Sequence, residues 1–430
     1  MCRTASRSRK VRLHVRRMPS GQSDPGFTPI HIDRSRILCK MNARVRPVVL
    51  LVLLASLTAC RRRDFPQYPA DYREYAYVTN GGSNTVTVLD LVNLRQDRVI
   101  RVGDNPTGIA ANPVKNEIYA INTNSNSVSV IDAEKNALAA TIPVHSKPYF
   151  IDIDAQGERA YVANSGSNNV SVIDLAARRE VAVVGAGEAP GMARISPDGT
   201  SLVVSNRAGG SVTIIDPKSH KVRSVFSGCP AATHVVILPD SSKAFITCSG
   251  GHQVMVLGLA RADSVITGEH VDRLLAFLDV GQTPVHLALK PDGGEIFVSN
   301  FGSDTISEIA TQANEVGGAY QVGAHPASAI VSADNSTLWI SKFNSGSIEV
   351  YSIDDGKTIN TVHVGDGPDA LAFSAEGHLL LATDARSNDI SVVRVASRTP
   401  SGASRTGTLF TMLPAGKQPN AIVVKAFHVK

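Results

Sequence analysis

The chain has 430 residues, 43% hydrophobic, 19% charged and 5% aromatic, with 34 glycines, a composition ordinary for a soluble folded protein. Its formal charge of +5 invites a nucleic-acid reading, but residues 1–59 hold 12 Lys/Arg and two acids, which leaves 31 basic and 36 acidic residues from Cys60 onward, a net of −5. The positive charge therefore belongs to the N-terminus and not to a domain surface, and a nucleic-acid partner is not expected.

Residues 1–40 carry ten Lys/Arg and no apolar periodicity, and read as a start-site extension or a disordered basic arm. Met41 opens a different pattern: Arg44 and Arg46 make a positive region, and Val48–Leu57 form a ten-residue apolar run. That run is too short to span a bilayer and has the form of a secretory signal over 41–59. Leu57-Thr58-Ala59-Cys60 resembles the lipobox of bacterial lipoproteins. The resemblance implies cleavage before Cys60, lipid on that residue, and a periplasmic or cell-surface protein tied to a membrane. With Arg rather than Asp at position 61, it points to the outer membrane of a Gram-negative cell. Arg61, Arg62 and Arg63 would then meet anionic headgroups. Residues 60–75 serve as the tether.

From residue 76 onward one unit recurs. YVTNGGSNTVTVLD starts at Tyr77, and equivalents start at Tyr119, Tyr161, Val203, Phe245, Phe297, Trp339 and Leu381, at spacings of 42 residues except for one of 52. A fixed period of this size means a repeat architecture. Each unit holds four short strands, A to D: a strand A opening at a proline, as in PTGIAAN, then EIYAIN (B), SVSVID (C) and ALAATIPV (D), separated by Gly, Asn and Pro turns. Such a sheet is apolar on both faces, and radial stacking against its own copies buries both, which makes it a β-propeller blade. Strands A open at Pro106, Pro148, Pro190, Pro230, Pro284, Pro326, Pro368 and Pro419. The first strand B has no strand A before it and the last strand A has no strand B after it. The sequence therefore predicts an all-β propeller over 76–430 with eight four-stranded antiparallel blades, the C-terminal strand closing the first blade. The alternative is seven blades, with one copy left outside.

The phrases YVTN, SVSVID and VGxxP over residues 77–427 resemble the YVTN family of β-propellers. That resemblance implies an extracytoplasmic propeller and no defined activity.

Strand direction puts the D–A and B–C turns on one face, called the top, and the A–B and C–D turns on the bottom. The tether enters at the bottom. The two longest insertions, around 261–270 and 397–407, fall on bottom C–D turns. Asn80, Asn122, Asn164, Asn206 and Asn300 end strands B, and are expected to take left-handed turn conformations. Asp90, Asp132, Asp174 and Asp216 read as turn devices. The aromatic-rich ring from Tyr77 to Leu381 reads as inter-blade core.

Departures from the repeat are the candidate sites. Cys229 and Cys248 both fall at the top of blade five and are expected to form a disulfide. The rival reading joins them with His234 and His252 in a metal site. One strand A register reads Gly108, Phe150, Met192, His234, His286, Ser328, Ala370 and Ala421, near the top mouth of the central channel. His234, His286 and Met192 suit a soft metal or a haem iron, and equally suit ordinary strand positions. His145 and His325 lie in top turns, and Arg194 and Asp152 share a deeper register. Eight blades also resemble the haem domain of cytochrome cd-type nitrite reductases, in architecture and repeat style only. No C-x-x-C-H, H-E-x-x-H, G-x-S-x-G or Walker motif occurs.

These readings converge on a lipid-anchored, non-enzymatic propeller without cofactor, presenting its top face to a protein, glycan or small ligand. The alternative is a haem- or metal-binding propeller. A weaker one is a lactonase-like hydrolase, which resembles this repeat but has seven blades.

Overall fold

The computed structural model describes residues 66–260, 271–396 and 406–429. Cys60, the signal segment, the basic arm, the 261–270 insertion and most of the 397–407 insertion lie outside them.

Eight four-stranded antiparallel sheets form a ring, each ordered A-B-C-D. Blade one consists of Pro419–His428 as strand A, Tyr72–Asn80 as B, Thr85–Asp90 as C and Arg95–Arg101 as D. Strands A of blades two to eight are Pro106–Ala111, Pro148–Ile153, Pro190–Ile195, Ala232–Ile237, Pro284–Leu289, Pro326–Val331 and Pro368–Phe373. Burial follows strand position. Strands B and C, such as Glu117–Asn122 and Ser127–Asp132, are buried along almost their whole length, whereas the outer strand Ala137–Pro143 is mostly exposed. Inner strands lose water on both faces because a blade stands on either side, which is why their sequences are nearly continuous Val, Ile, Ala and Ser.

The core lies between blades. Tyr77, Tyr119, Tyr161, Val203, Phe245, Phe297, Trp339 and Leu381 are all at most 4% exposed. Buried phenol and indole groups need partners. Tyr77 donates to Asn136 Oδ1 of the next blade at 2.6 Å, Tyr119 to Glu117 at 2.6 Å, and the Trp339 indole to Thr337 Oγ1 at 3.1 Å.

Closure follows the predicted clasp: Tyr72–Asn80 pairs with Pro419–His428, with Tyr77 opposite Val423, and Thr79 donates to Asn420 Oδ1 at 2.6 Å. The first strand begins earlier than expected. Tyr72 to Tyr75, assigned to the tether, pair with Lys425 to His428 and belong to the blade.

Two further expectations are corrected. Strand A of blade five opens at Ala232, not Pro230. A residue of left-handed backbone stands immediately before strands A, at Asn105, Lys147, Ala189, Ala231, Thr283 and His325. This turn sets the register, and Pro230 falls one residue ahead of it. The left-handed residues of the B–C turns are Asn84, Asn126, Asn168, Gly210, His252, Asp304, Gly346 and Asn388. Asn80, Asn122, Asn164, Asn206 and Asn300 are instead strand residues with fully buried amides. Their Nδ2 donates to a hydroxyl two residues into strand C: Thr87 at 2.9 Å, Ser129 at 3.0 Å, Ser171 at 2.8 Å, Thr213 at 2.9 Å and Ser307 at 2.9 Å. The aspartates ending strand C do accept turn amides, as Asp132 does from Glu134 at 2.9 Å and Lys135 at 3.2 Å.

Candidate functional site

The repeat brings eight equivalent strand A positions to the top mouth of the channel. On blades four, five and six these are Met192, His234 and His286. The two imidazole centroids lie 4.2 Å apart with ring planes inclined by 42°. The adjacency of His234 and His286 was legible as a 42-plus-10 spacing, since the ten extra residues fall between strands C and D of blade five and leave the strand A register unchanged.

Beneath them, Arg194 stacks over Phe150 at 5.0 Å and donates to Asp152 at 3.3 Å. Asp152 also accepts the Ile195 amide at 3.0 Å. Burial pushes the Asp152 carboxyl up, against the opposing pull of Arg194. Burial, aided by the field of Arg194, lowers His286 to about 4. The same burial, then His286 and Arg194, hold His234 well below the usual imidazole range. Both rings are therefore neutral at pH 7. They are not sealed off: their surfaces are partly accessible through the channel although protein surrounds them on most sides.

The remaining contacts set the tautomers. The Ala329 amide donates to His286 Nδ1 at 3.4 Å, which puts that ring's proton on Nε2. His234 Nδ1 is buried without a partner, and a bare lone pair there costs less than an orphaned N–H, so the proton again belongs on Nε2. Met192 Sδ accepts the Val235 amide at 3.3 Å.

This donor chemistry does not fit a haem iron or a soft metal. Two rings lying side by side cannot take opposite faces of one porphyrin. A ligating imidazole donates from its second nitrogen, whereas that nitrogen of His286 accepts. The thioether of Met192 is already engaged.

The other sequence candidates stand apart from this pair. His145 faces Glu180 at 3.4 Å, and His325 faces Asp304 at 3.6 Å and the edge of Phe301 at 4.6 Å. His252 lies in a B–C turn and accepts the Thr283 amide on Nδ1 at 3.3 Å. Cys229 and Cys248 form a disulfide, with Cα atoms 4.7 Å apart. That corrects the rival metal reading, because neither sulfur is a free thiolate.

Register explains the disulfide. Cys248 holds the place of the buried strand B asparagine, and Cys229 that of the glycine in VGxxP. At Gly187 an added Cβ would come 2.6 Å from the Asn206 side chain, so glycine is required where asparagine stands. Blade five replaces both members of this contact at once and bridges them, with Met255 where other blades carry the hydroxyl. Blade seven fills the same place with Lys342 and Glu349, paired at 2.8 Å, and blade eight with Asp384, bonded to Ser391 at 2.7 Å. Aligning these three columns would have paired the cysteines with a glycine and an asparagine from the sequence.

Fold and site together define an eight-bladed propeller repeat protein whose repeat is broken at one side of its channel mouth. The chain belongs to the YNCE-like β-propeller family, whose model matches residues 158–399. No curated protein matches the chain significantly. Among solved structures it is similar to hydrazine synthase of Kuenenia stuttgartiensis, with 20% identity and a TM-score of 0.51 over 74% of this chain and 92% of that one. It is similar to a functionally unknown protein from Desulfotomaculum acetoxidans, with 16% identity and a TM-score of 0.55 over 72% and 99%. It is also similar to dihydro-heme d1 dehydrogenase NirN in complex with DHE, with 15% identity and a TM-score of 0.57 over 88% and 75%. At these identities the likeness concerns the fold alone.

Proposed function

We propose that this protein is a lipid-anchored, exported, non-enzymatic binding propeller that takes a small ligand at the top mouth of its channel. One observation carries the reading. Of eight equivalent channel positions, the two histidines occupy adjacent blades, and their rings meet at 4.2 Å above the Arg194–Asp152 pair. A repeat that elsewhere places Gly, Ala, Ser, Phe or Met here has put two imidazoles side by side next to an arginine, a grouping that suits a binding site. The lipobox-like Leu57-Thr58-Ala59-Cys60 and the basic residues after it support a membrane tether and a periplasmic or cell-surface location.

The test is to purify the protein from membranes of a host that exports it, and to analyse small molecules released on denaturation, absorption spectrum and metal content. A stoichiometric small molecule lost in His234→Ala/His286→Ala is expected. A Soret band or bound metal lost in the same variant would overturn the reading in favour of the haem- or metal-binding propeller. Turnover of a released compound would overturn its non-enzymatic part. Fractionation of Cys60→Ser, expected in the soluble periplasmic fraction, checks the tether.

A further inference from the structure

We infer that the ligand at the channel mouth is a small organic monocarboxylate, its carboxylate held by Arg194 and the Nε2–H groups of His234 and His286, its apolar part lying along strands A of blades six and seven. The inference rests on the channel-mouth reading above and names the chemistry of the ligand.

Four observations lead to it. First, among the described residues Arg194, stacked over Phe150, hydrogen-bonds only to Asp152, at 3.3 Å, and Met192 Sδ, at 3.9 Å, so the rest of its fork of N–H donors remains for a ligand. A planar guanidinium matches a carboxylate in two parallel hydrogen bonds. Second, the tautomers argued above make both imidazoles donors into the channel. Neither Nε2 has a protein partner among the described residues, and neither is buried away from solvent. Such an array of donors with no acceptor of its own calls for an anion. Third, the charge sets the valence. Asp152 already balances Arg194, so a monoanion leaves one net negative charge in an enclosed site, and a dianion such as phosphate leaves two beside the Asp152 carboxylate. The cost of uncompensated charge in a low-dielectric channel disfavours the second strongly. Fourth, the cavity beside His286 is about 240 Å³ and is lined by Ala288, Leu289, Ile330, Val331 and Leu371 together with Ser328. An inorganic ion would leave most of this space unfilled, and a short organic chain would occupy it.

The experiment is calorimetric titration of the exported, detergent-purified protein with butyrate, butyramide and inorganic phosphate at pH 7. Butyrate is expected to bind at least 10-fold more tightly than butyramide, its neutral isostere, and than phosphate. Arg194→Gln alone would strand Asp152, so the decisive variant is Asp152→Asn/Arg194→Gln, which removes both charges together. In a protein that keeps its cooperative thermal transition, it should lose at least 10-fold in butyrate affinity while butyramide is unaffected. His286→Gln, which keeps an N–H donor, should retain more of the affinity than His286→Phe. Equal binding of butyrate and butyramide, tighter binding of phosphate, or full affinity in the double variant overturns the inference. If a released compound lost in His234→Ala/His286→Ala is not an acid, the carboxylate inference falls and the binding reading stands. If nothing is released and butyrate does not bind, both fall.

Discussion

Blades three and five carry the same four strands, but fill one buried place at the top of the sheet with opposite chemistry. In blade three, Asn164 donates to Asn169 and Ser171, both at 2.8 Å, and the contact is entirely polar. In blade five, Cys229 and Cys248 form a covalent bridge beside Met255, and both cysteines are fully buried. The lesson is that the position requires occupancy and a partner for any buried donor placed there, not a particular residue type; the Asn164 Oδ1 itself is buried without a partner. A buried amide is tolerated because strand C supplies a hydroxyl, and where that hydroxyl is lost the amide goes with it. Blades seven and eight extend the point, with an ion pair and with a carboxylate in the same place. Of these irregular blades only blade five also contributes to the histidine–arginine group at the channel, through His234.

Substitutions in three blades break or sharpen this comparison. The largest effect is expected at blade seven. Glu349→Ala leaves Lys342 buried and unpaired, and should cost about 3–5 kcal/mol in urea denaturation. Lys342→Asn with Glu349→Ser, which installs the pattern of blade three, should recover most of that. Blade five comes next. Losing the disulfide, which closes 19 residues of sequence, through Cys248→Ser should cost roughly 3 kcal/mol. Cys229→Gly/Cys248→Asn should be rescued further by adding Met255→Ser, because only then does the new amide find a hydroxyl. If the third change adds nothing, the three-column account is wrong.

The smallest effect concerns blade eight. Burial, with the neighbouring Asp389, holds the Asp384 carboxyl well above the ordinary carboxylate range. A carboxyl raised on folding contributes its full stability below the unfolded value near ~4, and that stability is lost as pH rises toward the folded value. Melting temperature should therefore decline from about pH 4 through neutrality more in the wild type than in Asp384→Asn. The variant should be the more stable of the two at pH 7, because its amide matches the other blades without ionising. Equal slopes would remove Asp384 as the source.

The sequence by itself determined the fold class, the blade count, the closing strand and the inter-blade ring from Tyr77 to Leu381. These depend on period and alternation, which a chain displays residue by residue. It also brought His234 and His286 to neighbouring blades, because a fixed register converts spacing into angular position. Tertiary structure decided what the local pattern could not carry. The asparagines ending strand B look like turn residues in sequence, yet their amides reach hydroxyls seven residues on, a contact made only when strands B and C pair. Strand A of blade five starts after the left-handed Ala231 and not at the proline, because backbone conformation and not residue type sets the turn. The tautomer of His286 hangs on an amide of the next blade, Ala329, 43 residues away. Hydrogen-bond direction between distant backbone and ring has no signature in a one-dimensional pattern, and here it makes Nε2 of His286 the donor.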